Sequence, residues 1–266
     1  IFDAETLEMV ADIPAVYGER GERAKVVGIA DVPGGGFVYS LFEAGEIWLS
    51  QPAADGSGYA TARFKDIGRQ PYDGLVTPDG RWYIAGLFGE NGLALLDLWH
   101  LERGVRRILQ DYGKDDPRLP VYKMPHLRGW AIAGRLAFLP AIGHHEVLVL
   151  DTESWREQAR IPVYGQPVFA MARPDGREVW VNFAHPDNGT VQVIDTDSLQ
   201  VVDTLQPGRA VLHLEFTPRG EQVWISARDD DRVRVYDTRS RRPLAELALD
   251  KPSGIFMSAR ANRIGM

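Results

Sequence analysis

An all-β fold built from short four-stranded antiparallel units is predicted by three features of this 266-residue sequence. The first is internal repetition. Residues 168–204, 211–247 and 74–98 align as an apolar strand, a Pro-x-Gly turn, a second strand carrying Trp or Tyr, a polar turn and a third strand ending in Asp. Self-similarity at a fixed period marks a repeat architecture. The second feature is spacing. Trp180 to Trp224 is 44 residues, Asp195 to Asp237 is 42, and Asp151 to Asp195 is 44. The step of 98 from Trp82 to Trp180 is about two periods, with Arg135–Phe138 and Val147–Asp151 supplying the unit between. The third is strand and turn chemistry. Val191-Gln192-Val193-Ile194 and Val233-Arg234-Val235-Tyr236 alternate apolar and polar residues, as half-buried strands do. The turns are Pro-Asp-Gly at 78–80 and 174–176, Pro-Arg-Gly at 218–220, and Asn188-Gly189, all suited to closing hairpins. Four short strands in every 42–54 residues is the signature of a β-propeller blade.

In chain order, residues 1–14 read as the last two strands of an earlier blade. Full blades are expected over 23–66, 72–110, 126–162, 166–205 and 209–249, and 252–266 reads as the first part of a later blade. The stretch 114–125, polar and proline-rich, reads as an elaborated loop. About six blades' worth of strands is therefore expected, in a single propeller domain over 1–266. The two partial pieces either combine into a sixth blade or belong to a larger ring.

Composition narrows the function. Apolar residues make up 44% and charged residues 25%, as in an ordinary globular protein. A net charge of −7 argues against a nucleic-acid partner. No apolar run approaches the length of a membrane span. Zero cysteines exclude disulfides, thiolate metal sites and cysteine nucleophiles.

The innermost strand of a propeller blade lines the central channel, so residues where those strands begin gather at one mouth. They are Arg23 and Lys25, Tyr72 and Asp73, His126 and Arg128, Gln166, Arg209 and His213, and Ser253. Such a collection of Arg, Lys and His suits an anionic ligand with several carboxylates, since guanidinium binds carboxylate in bidentate fashion. A solvated rim with an ordinary charge mix is the alternative. His126, bracketed by Pro125 and Gly129, has the chemistry of a metal ligand or of an acid or base near neutral pH. His144-His145 is a poor metal pair, because successive strand residues face opposite sides. Asp229-Asp230-Asp231 and His185 read as hairpin-tip residues, and Gly86, Gly89 and Gly92 lack dinucleotide-binding spacing. Asn188-Gly189-Thr190 matches a glycosylation sequon but is explained as a turn, and no hydrolase elbow is present.

Several motifs carry a family resemblance: Ile1-Phe2-Asp3-Ala4-Glu5-Thr6-Leu7-Glu8, Gln70-Pro71-Tyr72-Asp73-Gly74, Pro125-His126-Leu127-Arg128-Gly129, and Ser253-Gly254-Ile255-Phe256 with Ser258-Ala259-Arg260-Ala261. In this order the chain resembles the cytochrome d1 heme-domain family, and within it the NirF-like proteins of heme d1 biosynthesis that serve denitrification. The resemblance implies an eight-bladed intact fold, N-terminal blades and a signal peptide ahead of Ile1, and a periplasmic location. It implies heme d1 or dihydro-heme d1 as the bound iron tetrapyrrole. His126 would be a distal-face histidine near the iron, as metal ligand or acid/base. Tyr72 would stand in place of the second distal histidine as a proton donor. Arg128, one residue nearer the histidine than in the nitrite reductases, would meet ligand carboxylates together with Arg23 and Arg209, and Gln166 and His213 would line the pocket. The Tyr72 departure, and the lack of any Cys-x-x-Cys-His for a covalent heme, argue against nitrite reductase itself. The implied activity is an oxidoreductase-type step on a macrocycle side chain, with nitrite reductase or other heme d1 biosynthesis proteins as partners. A non-enzymatic carrier of the precursor and a protein-interaction propeller remain as alternatives.

Overall fold

The computed structural model describes residues 1–111, 129–141 and 144–257. Those residues fall into two compact units, 1–111 and 129–257, each of which is taken by itself. The protein is an all-β propeller of four-stranded blades.

The first unit opens with a two-stranded ribbon, β1 (Val16–Tyr17) and β2 (Glu22–Arg23). One blade follows as β3 (Val26–Val32), β4 (Gly36–Leu41), β5 (Glu46–Pro52) and β6 (Tyr59–Phe64), and a second as β7 (Pro71–Val76), β8 (Trp82–Leu87), β9 (Leu93–Asp97) and β10 (Val105–Ile108). The second unit holds three blades. They are β11 (Ala131–Ala133), β12 (Leu136–Pro140), β13 (Glu146–Asp151) and β14 (Glu157–Pro162); β15 (Pro167–Ala172), β16 (Glu178–Phe183), β17 (Val191–Asp195) and β18 (Gln200–Leu205); and β19 (Val211–Phe216), β20 (Gln222–Ala227), β21 (Arg232–Asp237) and β22 (Pro243–Ala248). In every blade each strand pairs antiparallel with the next along the chain.

Two turns recur because the sequence repeats their chemistry. In the Pro-x-Gly turns, the N–H groups of Gly80, Gly176 and Gly220 donate to the carbonyls of Thr77, Arg173 and Thr217, and all three glycines take a left-handed conformation near φ 71–72°. Between the third and fourth strands, an Asp-x-x-Ser turn closes on itself. Asp151, Asp195 and Asp237 each accept, at Oδ1, the backbone N–H and the hydroxyl of the serine three residues on. Asp3 does the same with Thr6, and Phe2 bridges Met9 across that turn. Over residues 1–14, where two strands were expected, the chain makes a single isolated bridge around a repeat-type turn. No strand forms over 252–257, where the Ile255 N–H is instead taken by a side chain, His213 Nδ1.

The middle strands supply the core. β8 and β9 are buried throughout, and Val38, Ile47, Val76, Tyr83, Ala94 and Leu96 pack together across the two blades of the first unit. In the second unit Phe138, Val149, Val181 and Phe183 form one cluster, and Trp180, Val193, Phe216 and Val223 another. Burying side chains of this size stabilises by about 1.5–3 kcal/mol each. The buried indoles of Trp48 and Trp180 keep their N–H groups satisfied by donating to Glu46 and Glu178, two residues earlier.

Four of the five innermost strands are bulged, β11 being regular. Their register shifts between Val27 and Ala30 in β3, Pro71 and Gly74 in β7, Pro167 and Phe169 in β15, and Val211 and Leu214 in β19. A bulge strips backbone groups of their ladder partners, and buried ones must find others. In β15 the freed Phe169 N–H donates to Asn182 Oδ1 (3.0 Å), and the same amide donates across to the Val211 carbonyl of the next blade (3.0 Å). In β19 the Ser226 hydroxyl accepts from the His213 N–H and donates to the His213 carbonyl. Ser226 stands opposite the bulge, where β8 has Gly86 and therefore no side chain. There the bulge satisfies itself, and the Gly74 N–H donates to Asp73 Oδ1 (2.9 Å). In β3 the Gly28 carbonyl accepts from Tyr83 of the next blade (2.8 Å). The two strands touch so closely here that a Cβ on Gly28 would lie 2.6 Å from the Gly74 nitrogen, so neither position admits a larger residue.

Asn182→Ala removes partners from one N–H and from carbonyls of the neighbouring blade. We expect a loss of about 2–3 kcal/mol in urea unfolding, whereas Ser198→Ala, in an exposed turn, costs about 1 kcal/mol or less. Equal losses would show that the bulge does not depend on Asn182.

Candidate functional site

The bulges decide which side chains leave the blades at the ends of the innermost strands. In the first unit, the β7 bulge presents Tyr72 and Asp73, both half-buried. Tyr72 meets the Phe42 ring edge-on at 6.3 Å, Phe42 lies 6.3 Å from Phe88, and Lys25 Nζ sits 5.1 Å over Phe42. The same unit holds a polar cleft of about 600 Å³ whose lining includes Glu43, Asp66, Arg69, Gln70, Glu90 and Arg107.

In the second unit, the β19 bulge presents His213. Its ring lies 6.1 Å from Phe169 and 5.4 Å from Phe256, and its Nδ1 accepts the Ile255 N–H (3.2 Å). Gly129 packs on the Phe169 ring so tightly that a Cβ would approach to 2.5 Å. Gly129 is the described end of the Pro125–Gly129 motif. His126 and Arg128 themselves lie outside the described residues. Gln166 is buried, and its carbonyl accepts from the Ala184 N–H. Arg23 is exposed on β2, and Ser253 is exposed two residues before Ile255.

Cations at the blade entrances are not bare. Arg209 donates to Asp230 from both its backbone N–H (2.9 Å) and its Nε (2.7 Å). Arg69 makes the same pair of bonds to Glu90, which also takes Arg107 at 2.6 Å. Lys25 repeats the device on Glu43, with its N–H at 2.7 Å and Nζ at 3.0 Å. In each case an entry-strand cation is held by a carboxylate in the turn between the second and third strands. The hydrogen bond from Arg209 holds the Asp230 carboxyl below its usual range, and the Asp230 bond raises Arg209 in turn. The Lys25 N–H lowers Glu43 in the same way.

These acids, and the rings of Phe42, Phe88, Phe169 and Phe256, escape sequence reasoning. A signal for the acids exists: the steps from Lys25 to Glu43, Arg69 to Glu90 and Arg209 to Asp230 are 18, 21 and 21 residues. His144, His145 and His185 are exposed, and no group of three metal-ligating side chains is present among the described residues. Asp230 serves Arg209, and Asp231 accepts the Lys251 N–H and pairs with its Nζ.

Comparison with known proteins gives a consistent picture. The family described as the cytochrome D1 heme domain matches residues 1–261. Protein NirF of Stutzerimonas stutzeri is 55% identical and that of Pseudomonas aeruginosa 56%, each over all of this chain and 68% of the relative. The dihydro-heme d1 dehydrogenase of P. aeruginosa is 28% identical over all of this chain and 52% of its own length. Among solved structures, dihydro-heme d1 dehydrogenase NirN in complex with DHE superposes with a TM-score of 0.78 at 25% identity, over 95% of this chain and 53% of that one. The chain thus spans about half of NirN. Hydrazine synthase of Kuenenia stuttgartiensis shares the fold at a TM-score of 0.59 and 18% identity, over 95% of this chain and 73% of that one.

The Arg209–Asp230 pair carries a signed pH dependence. A carboxyl whose folded-state pKa is lowered stabilises the fold above its unfolded value, and that contribution is lost as pH falls through the folded value. The Asp230 contribution is therefore full above the ordinary 3.8 and fades below it. Asp230→Asn should lower the urea midpoint at neutral pH and match wild type once the pH is well below 3.8. A midpoint gap that stays constant across this range would rule the carboxylate charge out as its cause.

Proposed function

The chain belongs to the cytochrome D1 heme domain family, and from that premise we propose that it binds a heme d1-type iron tetrapyrrole in heme d1 biosynthesis and takes part in oxidising a side chain of the macrocycle. The observation that carries this reading is the 55% identity to protein NirF over the full length given. The P. aeruginosa relative named dihydro-heme d1 dehydrogenase supports the oxidative part.

The described side chains fit such a ligand. A flat, conjugated, carboxylate-bearing ring calls for aromatic walls, cations at its edge and hydrogen-bond donors over its face. Within the first unit Phe42, Tyr72 and Phe88 form an aromatic cluster of this kind, and within the second unit Phe169, His213 and Phe256 form one of their own. When bound, the iron tetrapyrrole supplies the redox-active metal and the conjugated system that accepts electrons.

The chain's own residues then position the ligand and handle protons. Because His213 Nδ1 accepts the Ile255 N–H, a neutral imidazole here carries its proton on Nε2. A neutral His213 is thus set up as a hydrogen-bond donor at Nε2 and not as an iron ligand. Tyr72 Oη donates or relays a proton, in a setting made partly apolar by Phe42. His126 is assigned the iron-side or acid/base role, and Arg128, Arg23 and Arg209 the carboxylates. For Arg209 this means sharing a guanidinium that Asp230 already engages, so the ligand meets an oriented group. Gln166, buried beside the entrance of β15, shapes the wall. The location is proposed to be the periplasm, with nitrite reductase or other heme d1 biosynthesis proteins as partners.

The test is a visible absorption titration of the N-terminally complete protein with dihydro-heme d1, followed by turnover. Wild type should show a saturable band shift. Tyr72→Phe should bind within about twofold of wild type and convert the ligand slower by about 10²-fold, as for loss of a general acid. His126→Ala should alter the band position itself. Binding without conversion in wild type would leave a carrier, and no saturable shift would sink the tetrapyrrole reading.

A further inference from the structure

The motif Ser253-Gly254-Ile255-Phe256 forms no strand, yet three of its residues bear on one side chain, His213. The chain leading to it is anchored. The Leu249 N–H donates to the Asp231 carbonyl (3.0 Å), Lys251 reaches Asp231 Oδ1 with both its N–H and its Nζ (3.1 Å each), and Pro252 is buried. Beyond that point, residues 253–257 make a single hydrogen bond among the described residues, from the Ile255 N–H to His213 Nδ1 (3.2 Å). Phe256 lies against the imidazole, with ring centroids 5.4 Å apart and planes tilted by 37°. It remains 76% exposed, so burial of its own surface does not explain where it sits. Gly254 packs on the same ring, and a Cβ there would lie 2.9 Å from Phe256 Cε2. The imidazole also meets Phe169 edge-on at 6.1 Å, and the Ser226 hydroxyl holds the His213 backbone at both its N–H and its carbonyl.

We propose that Gly254, Ile255 and Phe256 form a strap of positioning residues that fixes His213 as an uncharged hydrogen-bond donor. Its value for the ligand rests on the tetrapyrrole reading above; its action on His213 rests on contacts within the chain. An imidazole nitrogen accepts an N–H only while it is unprotonated, so the Ile255 bond opposes charging of the ring. A ring flip would turn Nδ1 away and forfeit that bond, and the flanking rings of Phe169 and Phe256 restrict the turn. From the described elements packed on it, the ring meets Phe169 of β15 and Ile255 and Phe256 of the strap, while Ser226 of β20 holds its backbone. None of these four titrates. The result is a donor suited to an oxygen on the rim of a macrocycle, with Nδ1 closed to a metal. Each strap residue has its own requirement. Position 254 needs room for the Phe256 ring, position 255 needs an N–H of any kind, and position 256 needs a flat ring.

The test follows His213 by nitrogen NMR in the intact protein labelled with isotopic histidine, its signals identified by their loss in His213→Gln. In wild type the neutral ring is expected to carry its proton on Nε2. Ile255→Pro removes the N–H, and Gly254→Val drives the Phe256 ring off the imidazole. Each should make His213 about tenfold easier to protonate, as for one lost hydrogen bond. Ile255→Val keeps the N–H and should stay within about twofold of wild type. Circular dichroism spectra matching wild type confirm the fold in each variant. Equal proton affinity in wild type and Ile255→Pro, an Ile255→Val protein as altered as Ile255→Pro, or a neutral wild-type ring protonated on Nδ1 would overturn the proposal. A second arm titrates the same proteins with dihydro-heme d1. Affinity should fall about tenfold in Ile255→Pro and hold in Ile255→Val; unchanged affinity in Ile255→Pro would overturn the positioning role. The NMR arm needs no ligand, so failure of the strap and failure of the tetrapyrrole reading are told apart.

Discussion

Everything at the candidate site depends on how a bulge in an innermost strand is satisfied. A regular strand would send alternate side chains to opposite faces and keep every group on its paired edge in the ladder. The bulges in β3, β7, β15 and β19 give up ladder hydrogen bonds in a partly buried setting, where each unmet N–H is a cost that the fold has to offset. The blades meet that cost in different ways. Asn182 reaches both its own bulge and the next blade, Ser226 serves His213 from both directions, Tyr83 serves Gly28, and Asp73 caps Gly74 where Gly86 offers nothing. Tyr72 and His213, proposed to face the ligand, stand where they do because these partners hold the backbone open.

The same economy governs the charges. An arginine or lysine where a blade begins is tethered through its backbone and its side chain to one carboxylate. Such exposed pairs add little stability on their own. Their effect is orientation. A guanidinium already fixed by Asp230 or Glu90 presents its remaining donors in a set direction, and the rim carries less net positive charge than its arginines alone suggest.

Much of the fold was legible in the sequence because the repeat is written in turn chemistry. Gly80, Gly176 and Gly220 need left-handed backbone, and Asp151, Asp195 and Asp237 need a hydroxyl three residues on, so both patterns survive as spelled motifs. The site was legible only in part. Tyr72 and His213 could be placed where innermost strands begin, but the bulges could not be foreseen, since two successive residues on one side violate the alternation by which strands are recognised. The anchoring acids lay hidden for another reason. Asp230 belongs to a charged hairpin tip, and nothing local distinguishes it from Asp229 or Asp231. Its partner is 21 residues earlier, and only comparison of the blades reveals the spacing. Resemblance to the d1 heme family supplied what pattern could not, and the match over residues 1–261 agrees with it.

The self-closed Asp-x-x-Ser turn also bears on how the chain acquires its structure. Each copy completes its hydrogen bonds within four residues, and each blade pairs strands only with their neighbours along the chain. Hairpins of this kind form on a microsecond scale, before distant parts of the chain have met. A blade emerging during synthesis therefore holds its own nucleus, and its assembly waits on docking between finished blades and not on long-range strand pairing. For an all-β protein, whose unpaired strands are otherwise prone to associate between molecules, this locality shortens the interval in which a sticky edge lies open.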